Sequence, residues 1–154
     1  MLTLPVTLLE NHDHALDLPR HETPGSAGMD LRACLASEDR ARGLILPPMG
    51  RALVPTGLAV AIPAGHEGQV RPRSGLAVKT GITVLNSPGT IDSDYRGELR
   101  VLLINLGAEN QTLAHGERIA QLIIAPYATS EVQVVTKLDD TDRGGGGFGS
   151  TGVQ

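Results

Sequence analysis

The sequence predicts an all-β fold, and three observations carry that prediction. Short aliphatic and β-branched runs recur along the chain, and turn-forming residues, among 19 glycines and 10 prolines, separate them. The aromatic residues are only two tyrosines and one phenylalanine, so any core must be aliphatic. Helical periodicity is almost absent.

Taken in order, strands are expected at residues 29–34, 51–54, 58–62, 69–71, 81–85, 99–105, 118–126 and 131–136. Their spacing suits a sandwich, barrel or jelly roll. The separators Pro47-Pro48-Met49-Gly50, Pro55-Thr56-Gly57, Pro63-Ala64-Gly65, Ser87-Pro88-Gly89 and His115-Gly116 are rich in residues that set turn geometry. Helix is expected only at residues 74–79, where Ser74 is placed to cap, and at residues 37–42. There is no internal repeat.

The 154 residues fit one domain that buries a core without staples. The single cysteine, Cys34, excludes an intrachain disulfide, and the five histidines, His12, His14, His21, His66 and His115, are scattered and read as surface residues. A net charge of −4 gives no footprint for a nucleic-acid polymer. No apolar run is long enough to span a bilayer, and the first residues lack the layout of a signal peptide, so a cytoplasmic location is expected. From residue 139 to 154 the composition turns to Asp, Gly, Ser and Thr, which predicts a body at 1–138 and a mobile Gly-rich tail at 139–154. Most such tails are plain floppy ends. Phe148, set among glycines, is wasted as core but suits a lid that stacks on a flat ligand.

Three internal segments carry candidate chemistry. Arg71-Pro72-Arg73-Ser74-Gly75 places guanidinium, hydroxyl and backbone N–H groups at a strand-to-helix junction, a phosphate cradle or simply a capped turn with solvated arginines. The stretch from Asn86 to Glu98 is expected to be a hairpin that gathers an amide, the carboxylates of Asp92 and Asp94, and the Tyr95 ring. Each residue there also has an ordinary turn or packing role. Arg118 and Gln121 enter an apolar strand, and their odd spacing puts them on opposite faces. In the tail, Arg143, Ser150 and Thr151 offer charge and hydroxyls to an anionic ligand.

Five segments in this order, Ala27-Gly28-Met29-Asp30-Leu31, Arg73-Ser74-Gly75, residues 89–98, residues 116–122 and residues 143–152, resemble the five motifs of the trimeric dUTPase family. The match spans nearly the whole chain. Met29, where the family more often has an aromatic or another aliphatic residue, and the run of four glycines depart slightly from the pattern.

The resemblance implies a distorted jelly roll or β-clip barrel with one short helix. It also implies a homotrimer with sites between subunits, and a dUTP diphosphatase that removes dUTP and supplies dUMP for thymidylate synthesis. Asp92 would be the general base for water attack on the α-phosphorus. Arg73, Ser74, Gly75 and Gln121 would hold the phosphates. Asn86, Thr90 and Ile91 would read uracil, with Arg100 near the base and Tyr95 against the deoxyribose. Arg143 would grip the γ-phosphate, Phe148 would cover uracil, and Gly149, Ser150 and Thr151 would add phosphate contacts. Mg2+ would ride mainly on the phosphates, with Asp30 touching it through water at most. The competing readings are a dCTP deaminase-like enzyme and a non-catalytic nucleotide-binding module of the same fold.

Overall fold

Alternation along each strand decides which residues meet in the core. In strand β5 (His66–Arg71), Gly68 and Val70 are buried while Glu67 and Gln69 are half-buried and Arg71 is exposed. The computed structural model describes residues 2–147. Over that span, β5 lies in a four-stranded antiparallel sheet with β2 (Met29–Arg32), β10 (Arg118–Pro126) and β7 (Gly89–Ile91), in the order β2-β10-β5-β7. A second antiparallel sheet has the order β1-β4-β8-β6, made of β1 (Val6–Leu8), β4 (Arg51–Val60), β8 (Glu98–Asn105) and β6 (Ile82–Val84). A ribbon of β3 (Leu44–Leu46) and β9 (Gln111–Leu113) and one helix, α1 (Ser74–Thr80), complete the described elements.

One buried cluster draws on both sheets, with Leu31, Val70 and Leu122 from one and Val54, Val84, Val101 and Leu103 from the other. It is wholly aliphatic: Tyr95 and Tyr127 are each 43 % exposed. Each such leucine contributes about 2–3 kcal/mol by leaving water. Two polar side chains are buried with their bonds made. Asn105 donates to the carbonyls of Leu46 and Glu109 and accepts from Gly107 N–H, which pins the ribbon to the end of β8. Thr56 Oγ donates to the Leu99 carbonyl at 2.6 Å.

The all-β class stands, but the described sheets are open and do not close as a barrel. Pro55-Thr56-Gly57 does not separate two strands. Four residue steps on β4, from Pro55 to Ala59, oppose two on β8, from Arg100 to Glu98, so the segment is a bulge within one long strand. The Thr56 hydroxyl replaces a ladder bond there, and Gly57 has φ 69°.

Residues 37–42 form turns instead of a helix, and residues 131–136 form no strand. Val132 and Val134 are 91 % and 94 % exposed, so β propensity there finds no neighbouring strand to pair with among the described residues. Nor are all five histidines on the surface: His12 is 7 % exposed, and His115 is held between the Leu35 N–H and Asp13. Hydrogen bonds from the Ala15 N–H and from His115 hold the Asp13 carboxyl below its ordinary pKa.

Candidate active site

Asp30 organises the first cluster. It lies on β2 directly opposite Gln121 of β10. Its Oδ1 accepts from Arg73 Nε at 3.0 Å and Gln121 Nε2 at 3.4 Å, and its Oδ2 accepts from Arg118 Nη1 at 3.0 Å. Arg73 Nη1 also donates to the Arg118 carbonyl.

Arg118 and Gln121 therefore meet at one carboxylate, against the expectation that odd spacing separates them. The register between β10 and β2 shifts between Arg118 and Ala120, and that bulge returns Arg118 to the face of Gln121. The Asp30 side chain is only 11 % exposed, so its charge is kept by these cations and not by water.

Beside this cluster the chain enters α1. Arg73 takes the cap position with extended backbone and makes no side-chain cap bond, so Ser74 is the first helical residue and its hydroxyl is not used as the cap. Ser74 and Gly75 are exposed. A Cβ on Gly75 would meet nothing within 4 Å, so internal packing does not demand glycine there, and space for an approaching ligand remains.

The second cluster is built from the segment after β7. The flanking strands β6 and β8 pair antiparallel as a hairpin would require, but the connection is not a simple loop, because within it β7 pairs with β5 in the other sheet before the chain returns in β8. The residues between them cross from sheet to sheet through a tight turn, with the Tyr95 N–H donating to the Asp92 carbonyl. A cleft of about 370 Å³ opens beside this crossing, lined by Leu53, Thr90, Ile91, Asp92, Tyr95, Glu98 and Arg100.

Tyr95 Oη donates to the Glu98 carbonyl, and a Cβ on Gly97 would collide with that hydroxyl. Glu98 is the anchor of the cleft. Its Oε1 accepts from Asn11 Nδ2 and the Gly57 N–H, both at 2.9 Å, and its Oε2 accepts from Arg100 Nε at 2.7 Å. Burial pushes the Glu98 pKa up, yet these donors outweigh burial and hold it below the ordinary value of 4.5. Asp92 is exposed, and its carboxylate accepts no hydrogen bond from the described residues. Asn86 lies against Gly89, where a Cβ would come 3.2 Å from Nδ2.

These clusters do not meet within one chain. Gly68 of β5 pairs with Ile91, so Asp92 falls level with Glu67, while Arg71, at the other end of β5, pairs with Gln121. Four residue steps along β5 set those levels about 13 Å apart. Asp92 shares a cavity with Glu67 and Tyr127, whereas Ser74 lines another with Gln69 and Ser87. In the tail, Arg143 Nε donates to the Gly146 carbonyl, and Phe148, Gly149, Ser150 and Thr151 lie outside the described residues.

Sequence reasoning overlooked Glu98 and Leu53. Glu98 ends the motif that holds Asp92 and is the one carboxylate there that the fold buries. Leu53 is 55 % exposed in an apolar strand, a placement visible only once β4 is paired.

No group of three or more His, Cys, Asp or Glu among the described residues could hold a metal ion, and both Asp30 oxygens are occupied by nitrogen donors. The residues do not fit a protein-bound magnesium cage. They are compatible with an ion carried on the phosphates of a ligand. No helix among the described residues is long and apolar enough to cross a membrane.

The dUTPase family model matches residues 14–152. The deoxyuridine 5'-triphosphate nucleotidohydrolase of Sinorhizobium medicae is 54 % identical over 99 % of this chain and 94 % of its own length. That of Rhizobium johnstonii is 58 % identical over 98 % of this chain and 94 % of its own. Among solved structures, the dUTPase of Staphylococcus bacteriophage 80alpha with dUpNHpp superimposes with a TM-score of 0.82 at 29 % identity, covering 99 % of this chain and all of that one. A mutant dUTPase of phage phi11 of S. aureus, described as showing the coordination of a structural Mg(II) ion, matches with a TM-score of 0.73 at 25 % identity over 88 % of this chain and 98 % of that one. The chain belongs to the dUTPase family.

Proposed function

We propose that this chain hydrolyses dUTP to dUMP and pyrophosphate, with Asp92 as the general base, at sites completed between subunits of a homotrimer. The observation that carries the reading is an exposed carboxylate, free of hydrogen bonds from the described residues, at a cleft with Thr90, Ile91, Tyr95 and Arg100 in its wall. Asp92 takes a proton from water as the water oxygen attacks the α-phosphorus. The bond from that phosphorus to the oxygen bridging to the β-phosphorus breaks, and pyrophosphate leaves with the electron pair.

Asn86 and the β7 backbone at Thr90 and Ile91 read uracil, and Tyr95 closes the space beside the sugar. Arg73, Ser74, Gly75 and Gln121 serve the phosphates, with Arg73 oriented by Asp30. The separation of the Asp92 level from the Arg71 end of β5, where the chain turns into Ser74, supports a site shared between copies of the chain. Magnesium on the phosphates neutralises charge. Arg143, Phe148, Gly149, Ser150 and Thr151 close over the substrate and exclude other water.

The test is pyrophosphate release from dUTP, dCTP, dTTP and UTP with magnesium. Turnover of dUTP alone is expected. Release from none would overturn the reaction, and release from all four would overturn the specificity roles of Asn86 and Tyr95.

A further inference from the structure

We infer that Arg71 is a further substrate-binding residue, one that takes the phosphates beyond the α-phosphate. The inference rests on the reaction proposed above. It begins with a row across three strands: Asp30 of β2 stands opposite Gln121 of β10, and Gln121 stands opposite Arg71 of β5. The buried neighbours Leu31, Leu122 and Val70 point to the core, so the row faces outward. Directly opposed side chains on such a face are in contact range.

The three arginines near this row differ in how their charge is used. Arg73 and Arg118 both donate to Asp30, so two cations share one carboxylate. Arg71 has no carboxylate partner among the described residues. Its Nε and Nη2 both donate to the neutral amide oxygen of Gln69, and Nη1 donates to no described residue. The amide is itself fixed, since Gln69 Nε2 donates to Glu67 Oε1 at 2.7 Å. The relay from Glu67 through Gln69 thus holds the guanidinium in place without neutralising it directly.

Position completes the case. Arg71 lines a cavity of about 310 Å³ with Asp30, Gln121 and Gly28, and a second of about 500 Å³ with Ser74, Gln69 and Ser87. Arg71 and Pro72 border both cavities, and of the two only Arg71 carries a charge. A merely solvated surface arginine has no reason to be oriented by a fixed amide beside two candidate phosphate ligands. With the Asp30 group carrying one net positive charge, Arg71 supplies a second for a highly charged polyphosphate. It stands at the Ser74 end of β5 with the residues proposed to serve the phosphates, and the excess positive charge there suits the most highly charged part of the substrate, the phosphates beyond the α-phosphate.

The experiment compares the full-length wild type, R71Q and R71K by calorimetric titration with dUpNHpp and dUMP in magnesium, alongside steady-state turnover of dUTP. R71Q is expected to weaken dUpNHpp by about ten- to a hundredfold while dUMP changes less than about twofold, and R71K is expected to recover part of the loss. KM for dUTP should rise accordingly. Unchanged dUpNHpp affinity in R71Q, or an equal loss for dUpNHpp and dUMP, would overturn the assignment. If the wild type itself releases no pyrophosphate from dUTP, the proposed reaction fails and this inference with it. Wild-type turnover with an unaffected R71Q removes Arg71 alone.

Discussion

The Asp30 cluster and the Asp92 cleft contain the same kind of side chain in opposite states. Asp30 is buried among Arg73, Arg118 and Gln121, with both oxygens bonded, whereas Asp92 is exposed and accepts no hydrogen bond from the described residues. A carboxylate committed to cations holds geometry. One left free at a cleft keeps its lone pairs for water. The difference teaches that position in the hydrogen-bond network, more than residue type, separates scaffold from chemistry.

Asp92→Asn breaks the comparison most severely. The amide keeps the shape and removes the proton acceptor, so turnover of dUTP should fall by about 10² to 10⁴-fold while dUpNHpp still binds. Turnover within about threefold of wild type in a stopped pyrophosphate assay would move the base elsewhere. Removal of residues 143–154 comes next. Activity should fall by about 10²-fold with unchanged far-ultraviolet circular dichroism, because the role proposed for those residues is closure over the substrate. A truncated chain with full activity would make the tail a bystander.

Asp30→Asn reverses the expectation and strikes stability first. Arg73 and Arg118 lose their shared counter-charge, at a cost of about 2 kcal/mol in urea unfolding, discounted because Arg118 is 44 % exposed. Equal loss of activity in Asp30→Asn and Asp92→Asn, with stability untouched in both, would erase the distinction between the two sites.

Much of this was legible in the sequence, and the gaps have one physical origin. The fold class, most strand positions and the helix from Ser74 follow from local periodicity and turn chemistry. The contacts that depend on register do not. The meeting of Arg118 with Gln121 needed a bulge that no periodicity announces, and Pro55-Thr56-Gly57 looks the same as a turn or as a bulge until β8 lies beside it. The segment from Asn86 to Glu98 joins β6 to β8, which pair antiparallel as its hairpin composition suggests, yet β7 inside it pairs with the other sheet, a choice made by tertiary pairing. Val132 and Val134 show the converse, strand formers with no strand beside them among the described residues. For the site, motif order names Asp92, Ser74 and Gln121 as candidates. The anchor Glu98 is not among them, since its importance lies in three donors drawn from Asn11, Gly57 and Arg100.

Glu98 also sharpens the comparison most finely, because it is a buried carboxylate serving the cleft where Asp92 is free. Its folded pKa lies below 4.5, so it is more acidic folded than unfolded. Its ionised form therefore contributes stability that is fully present above about pH 4.5 and is lost as the pH falls through the folded value. Glu98→Gln keeps an acceptor for Asn11 or Gly57 but loses the charge that holds Arg100. The variant should be about 1 kcal/mol less stable at pH 7, with a modest rise in KM for dUTP as Arg100 loosens. The gap to wild type should narrow as urea titrations are carried below pH 4.5. A gap that stays constant down to pH 3 would mean that the Glu98 side chain acts by packing alone, and the contrast between a charged anchor and a free base would then rest on Asp30.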